Sequence, residues 1–127
     1  MQVPADRRYT SEHEWAKAVD GEVLVGITDY AQSKLGDVVY VELPNVGDRV
    51  EAMKSFGSVE SVKTASDLFA PIAGTVTAVN TRLRDQPELV NQSPYDEGWM
   101  IRIRPDDPNA LNDLLTAEQY QQLVAER

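Results

Sequence analysis

The chain has 127 residues, 42% hydrophobic and 26% charged, with 12 basic against 21 acidic side chains and a net charge of −9. That length suits one domain with one core. The acidic balance argues against nucleic acid as a partner, and no apolar run approaches the roughly 20 residues of a membrane helix.

Cysteine is absent, which removes disulfides, iron–sulfur ligation and cysteine catalysis. The start, MQVPADRRYT, has neither the apolar stretch nor the cleavage pattern of a signal peptide. The expected compartment is the bacterial cytoplasm, or the mitochondrial matrix if a transit peptide was removed.

In chain order, residues 1–8 read as a loose tail. HEWAKAV and EVLVGI read as two strands joined by Asp20-Gly21, a pair suited to a tight hairpin whose turn needs positive φ. Thr28 is a candidate cap for a short helix, DYAQSKL, which Gly36 ends. DVVYVEL alternates and is β-branched, a strand; PNVGD is a turn; RVEA and SFGSVES are short strands. Beyond a tip come TASDLF and GTVTAVN. TRLRDQPELVNQSPYDEG reads as a polar loop, its two prolines too disruptive for regular structure. WMIRIR is a further strand.

Residues 106–127 read as helical. Asp107 and Pro108 open DDPNALNDLL, and Thr116 with Gln119 makes a capping box for TAEQYQQLVAER, with Tyr120, Leu123 and Val124 on its apolar face. The strands on either side of the SVKT tip look like two halves of a β-sandwich, which puts Lys63 at a hairpin between them.

Two lysines could carry cargo. Lys54 sits in EAMK, which looks like the core of a biotin attachment site; Lys63 sits in ESVKTASD. An exposed lysine amine is protonated at neutral pH and a poor nucleophile. Glu60 and Asp67 nearby favour that charged form. Lys63 is therefore suited to being acylated by another enzyme and not to Schiff-base or general-base catalysis.

The blocks YTSEHEW, VGITDYAQSKLGDVVYVELPNVGD, FGSVESVKTASDLFAPIAGTVTAVN, PELVNQSPYDEGWMIRIRP and AEQY resemble the glycine cleavage system H protein family over residues 9–123. The resemblance implies a mainly β fold, the lipoyl/biotinyl barrel-sandwich hybrid with extra N-terminal strands and C-terminal helices. It implies a carrier and not an enzyme, with (R)-lipoate in amide linkage on Lys63. In that family the acceptor lysine sits at the hairpin between the halves, after a Gly-Asp turn (Gly47-Asp48) and before Ala-Pro-x-x-Gly (Ala70 to Gly74). Lys54 then falls inside the first half, and Met53 and Lys54 depart from the glycine-containing turn common there.

The implied partners are a pyridoxal-phosphate glycine decarboxylase, a tetrahydrofolate-dependent aminomethyltransferase, dihydrolipoyl dehydrogenase and the lipoylation enzymes, with no nucleic acid or membrane partner and a monomeric state. The lipoyl disulfide would take an aminomethyl group from glycine, the aminomethyltransferase would remove it, and the dehydrogenase would reoxidise the dithiol. The alternatives are a relay that donates lipoyl groups to other carriers, and a biotin carrier using Lys54.

His13 is the only histidine, and a lone histidine makes no metal site. EHE on a strand would put Glu12 and Glu14 on one face and His13 on the other. As a pair for acid–base work the two glutamates are a weak signal. The resemblance implies a different role: Glu14 and Asp67 beside a cleft that receives the loaded arm, with Glu12 at a position usually occupied by Ser. Trp15 and Trp99 read as core, and Gly57 and Gly74 as places of close strand approach.

Overall fold

The computed structural model describes residues 1–125. Nine strands form two sheets. The larger has the order β1-β2-β3-β9-β8-β5 and the smaller β4-β6-β7. The strands are β1 (Arg8–Tyr9), β2 (Glu14–Val19), β3 (Glu22–Ile27), β4 (Val38–Glu42), β5 (Arg49–Val50), β6 (Ser55–Ser61), β7 (Ala65–Phe69), β8 (Gly74–Val79) and β9 (Ile101–Pro105).

The two halves expected on either side of the tip do not each form their own sheet. β5, from before the tip, pairs with β8, and β7, from after it, pairs with β6. This exchange binds the sheets together. Val25, Val76, Ile101 and Ile103 of one sheet and Val41, Val59 and Leu68 of the other share one core. Each such buried side chain contributes about 1.5–3 kcal/mol.

Local signals place most elements. Asp20 and Gly21 take φ of 52° and 80°, giving the expected tight β2–β3 hairpin. The Thr28 side chain accepts a hydrogen bond from the Ala31 N–H and so caps α1 (Asp29–Leu35). Gly36 ends that helix at φ 78° and ψ −158°, a conformation open essentially to glycine alone. At α4 (Ala117–Ala125), Thr116 and Gln119 exchange the two bonds of a capping box. Tyr120 and Val124 are buried there with Tyr9 and Trp15, while Leu123 packs at the margin. The expected run of this helix to residue 127 extends outside the described residues.

Three further expectations change. The tail is tied down: the Gln2 N–H donates to Asp29 and the Gln2 carbonyl accepts from the Tyr95 hydroxyl. Arg7 lies buried with its guanidinium 4.7 Å from the Trp15 ring centre and 5.2 Å from that of Tyr95. The polar loop 81–98 holds two helical turns, α2 (Arg82–Asp85) and α3 (Leu89–Gln92), because Leu83, Leu89 and Val90 are buried and Pro87 falls between the turns, where it interrupts neither. Residues 107–115 form only a 3-10 turn, Ala110–Asp113. Leu115 is drawn into an extended bridge, exchanging two backbone bonds of 2.9 Å with Tyr9, and this stops the helix.

Of the two tryptophans, Trp15 is core and Trp99 packs at its edge. The close strand approaches at Gly57 and Gly74 are real. A Cβ on Gly57 would collide with the Glu42 carbonyl, and one on Gly74 with the Arg104 carbonyl. Both obstacles are ladder backbone, which cannot rotate away. Gly57→Ala is expected to cost about 1–3 kcal/mol of unfolding free energy by overpacking, measured by urea denaturation; an unchanged midpoint would contradict the close β4–β6 approach.

Candidate functional site

The β6–β7 hairpin turns through residues 61–64. The Ser61 N–H donates to the Thr64 carbonyl at 2.8 Å, and Ser61 Oγ accepts from the backbone N–H groups of Lys63 and Thr64. The Val62 N–H donates to the Asp37 carbonyl at 3.0 Å, tying the tip to the start of β4. With its backbone committed, the turn leaves the side chains of Val62 and Lys63 exposed. Lys63 Cε lies 3.5 Å from where a Gly36 Cβ would stand, so the side chain runs over the end of α1.

Lys54 lies at the other end of β6. Its N–H and carbonyl are used in the turn after β5 and in pairing with Ala70. At about 3.3 Å per residue the two lysines are separated by most of a strand, roughly 20–25 Å. Met53 takes the left-handed conformation there, φ 61°, where glycine would be at ease.

A cavity of about 290 Å³ opens beside α1 and β7. Ile27, Leu35, Val59 and Leu68 give it apolar walls, and Glu12, Glu14 and Asp67 supply carboxylates. The three acidic residues proposed from sequence thus border one space, though not in the arrangement expected. His13 takes φ 73° in the turn of residues 10–13, and β2 begins only at Glu14. Strand alternation therefore does not reach Glu12, which is exposed, while Glu14 is 2% exposed. His13, expected on the opposite face, lines the same cavity. Its Nδ1 is 2.8 Å from the Tyr120 hydroxyl, and its ring centre is 4.8 Å from that of Tyr30, with the planes tilted by 41°.

Glu14 is the unusual group. One carboxyl oxygen accepts from the Thr10 hydroxyl at 2.6 Å and the other from the Phe69 N–H at 3.3 Å. Among the described residues no lysine or arginine forms a salt bridge with it. Burial pushes its pKa up to about 7, against the opposing pull of the Thr10 and Phe69 hydrogen bonds. Asp67 differs: it is exposed, in the middle of β7, the edge strand of the smaller sheet.

The glycine cleavage H-protein family model matches residues 7–127. The chain belongs to this family. It is 57% identical over 126 residues to a glycine cleavage system H protein of Geobacillus kaustophilus, covering 99% of each chain. It is 56% identical over 127 residues to one of an Anaeromyxobacter species, covering 100% of this chain and 99% of the relative. A crystal structure of a glycine cleavage system H protein from Mycobacterium marinum superposes with a TM-score of 0.90 at 43% identity, over 97% of this chain and 99% of that one. The two sheets are thus those of the lipoyl-type barrel sandwich, and the chain is a carrier component of a multienzyme system, not a catalyst.

Family membership leaves unnamed several residues that the cavity contains. Tyr30, Lys34 and Ser66 line it, and Lys34 Nζ stands 5.4 Å from the Tyr30 ring centre at the rim. Helical spacing puts Tyr30 and Lys34 on one face of α1, four residues apart, but nothing in the sequence says that this face borders a cavity.

The raised Glu14 pKa carries a stability consequence. The folded state binds this proton more tightly than the unfolded state, whose pKa is near 4.5. Stability from this group is therefore lost as pH rises from about 4.5 through about 7. Glu14→Gln removes the ionisation, so its stability relative to wild type should rise across that window, by on the order of 3 kcal/mol at most. Chemical denaturation at pH 4.5 and 8 measures it; a difference independent of pH would contradict a pKa raised by burial.

Proposed function

We propose that this chain carries lipoate on Lys63 and serves as the mobile substrate carrier of glycine cleavage. The observation that supports this best is the placement of an exposed lysine on a hydrogen-bonded turn, with its side chain passing Gly36, next in the chain to Leu35 in the wall of a cavity that a buried acid also lines. The residues present fit the group. The apolar walls suit a hydrocarbon chain and ring, and the carboxylates suit a cationic cargo.

When attached, lipoate would supply a disulfide that is reduced as one sulfur takes the aminomethyl group of decarboxylated glycine, and that remains on Lys63 as a dithiol for reoxidation once the group has been removed. The chain's own part is positional. The tip presents the Lys63 amine to the lipoylation enzymes and then swings the arm among glycine decarboxylase, aminomethyltransferase and dihydrolipoyl dehydrogenase. Tethering raises the effective concentration at each of these sites. Between visits, Glu14 and Asp67 hold the cargo's ammonium and the cavity walls exclude water, which slows loss of ammonia. Glu12, at the rim, adds negative charge.

Lys63→Arg keeps the charge but lacks the primary amine that forms the amide. It should abolish glycine cleavage in a mixture reconstituted with the partner enzymes, with an unchanged circular dichroism spectrum. Lys54→Arg should stay within about twofold of wild type. Full activity of Lys63→Arg would overturn the assignment.

Asp67→Asn and Glu14→Gln should leave lipoylation intact and shorten the lifetime of the amine-loaded protein. A charge-assisted hydrogen bond of about 1.5–3 kcal/mol corresponds to roughly tenfold or more. Ammonia release from isolated loaded protein measures this, and equal decay in all three forms would show that neither carboxylate holds the cargo.

A further inference from the structure

The turn that carries Lys63 has little anchorage of its own. Its internal bonds run between Ser61, Lys63 and Thr64. Among the described residues, one backbone hydrogen bond leads from residues 62–64 to a group outside the hairpin: the Val62 N–H donates to the Asp37 carbonyl at 3.0 Å. The β4–β6 ladder holds less firmly here, because a bulge between Val38 and Tyr40 shifts its register just below the tip. The position of the tip therefore depends on the Asp37 carbonyl.

That carbonyl belongs to the same peptide group as the Val38 N–H. The peptide is planar and trans, so the two point in opposite directions. The Val38 N–H donates to Asn91 Oδ1 at 2.9 Å. One rigid plate thus has the tip of the hairpin on one side and a side chain of α3 on the other. Asn91 also holds what precedes the plate: its Nδ2 donates to the Gly36 carbonyl at 2.8 Å and to Gln32 Oε1 at 3.1 Å. A backbone N–H can meet only the amide oxygen and a backbone carbonyl only the amide nitrogen, so the orientation of this side chain is determined. The support behind it is firm. Leu89 and Val90 are buried, and Gly98 packs so closely on α3 that a Cβ there would stand 2.7 Å from the Leu89 and Ser93 carbonyls.

We propose that Asn91 is a positioning residue for Lys63: through the 37–38 peptide it holds the turn in the pose that the acylating enzyme binds. It lies outside the cavity lining. The proposal rests on Lys63 as the lipoate acceptor. Without the Asn91 bond the plate can tilt, and the turn samples other poses. An enzyme that binds one pose then meets a smaller competent fraction, which raises KM by that factor and leaves kcat alone. Loss of one net hydrogen bond corresponds to about two- to tenfold.

The test uses the full apo chain as acceptor for a ligase supplied with lipoate and ATP, with the adduct on Lys63 followed by peptide mass. Asn91→Ala should raise KM about two- to tenfold with kcat unchanged. Thr116→Ala is the control. It removes a capping bond to the Gln119 N–H, far from the 37–38 peptide, and should leave KM unchanged whatever stability it costs. Native-state hydrogen exchange of the unsubstituted chain decides the matter even if Asn91→Ala does not fold. Because one peptide group bears both bonds, the Val38 and Val62 amides should open together, with protection within about threefold of each other. A Val62 amide that exchanges like an unstructured turn overturns the proposal. So does an equal KM in wild type and Asn91→Ala, or an equal rise in Thr116→Ala. These results leave the assignment of Lys63 untouched, whose failure shows separately as wild-type protein without an adduct on Lys63.

Discussion

The working end of the molecule depends on the antiparallel ladder between β6 and β7. A strand alternates its peptide groups between its two sides. The Thr64 carbonyl and the Ala70 N–H turn inward, to Ser61 and Lys54 respectively. By the same alternation the Phe69 N–H turns outward, at the edge of the smaller sheet, where Glu14 accepts it. One ladder therefore does two things. It ends in the turn that exposes Lys63, and it delivers to the sheet edge the N–H donor that holds Glu14. Lysine and donor stand toward opposite ends of this ladder, whose register shifts once, between Ser55 and Gly57.

Other contacts hold that register in place. Asn91 on α3 donates to the Gly36 carbonyl at 2.8 Å and accepts from the Val38 N–H at 2.9 Å, so one amide locks the end of α1 to the start of β4. The Tyr120 hydroxyl, kept protonated by burial, lies 2.7 Å from Thr28 Oγ1 and 2.8 Å from His13 Nδ1. It ties α4 to the cap of α1 and to the cavity wall. The Glu14 carboxyl is the place where the fold gives up stability. A desolvated acid held by neutral hydrogen-bond donors, with no lysine or arginine partner among the described residues, is costly.

What was legible in the sequence is what local chemistry decides. The Asp20-Gly21 hairpin, the Thr28 cap, the end of α1 at Gly36 and the Thr116–Gln119 box each depend on a few adjacent residues, and each is formed. The ordered blocks gave the family, and with it the acceptor lysine as an inference. What was not legible depends on distant partners. Arg8–Tyr9 becomes a strand because β2 and Leu115 reach it, and Leu115 thereby cuts short a helix that Asp107-Pro108 seemed to announce. Leu83, Leu89 and Val90 order a loop that its prolines alone would leave open. The left-handed His13 breaks the alternation that would have paired Glu12 with Glu14, and no residue type there signals it. Burial of Glu14, and hence its charge state, follows only from the assembled sheets.

The central claim is that position along β6, and not the resemblance of EAMK to a biotin site, decides which lysine carries cargo. Peptide mass mapping of the protein purified from a host competent in both lipoylation and biotinylation tests this most directly. The account predicts a lipoyl or octanoyl adduct confined to the peptide bearing Lys63, with Lys54 unmodified; biotin on Lys54 with Lys63 bare would contradict it.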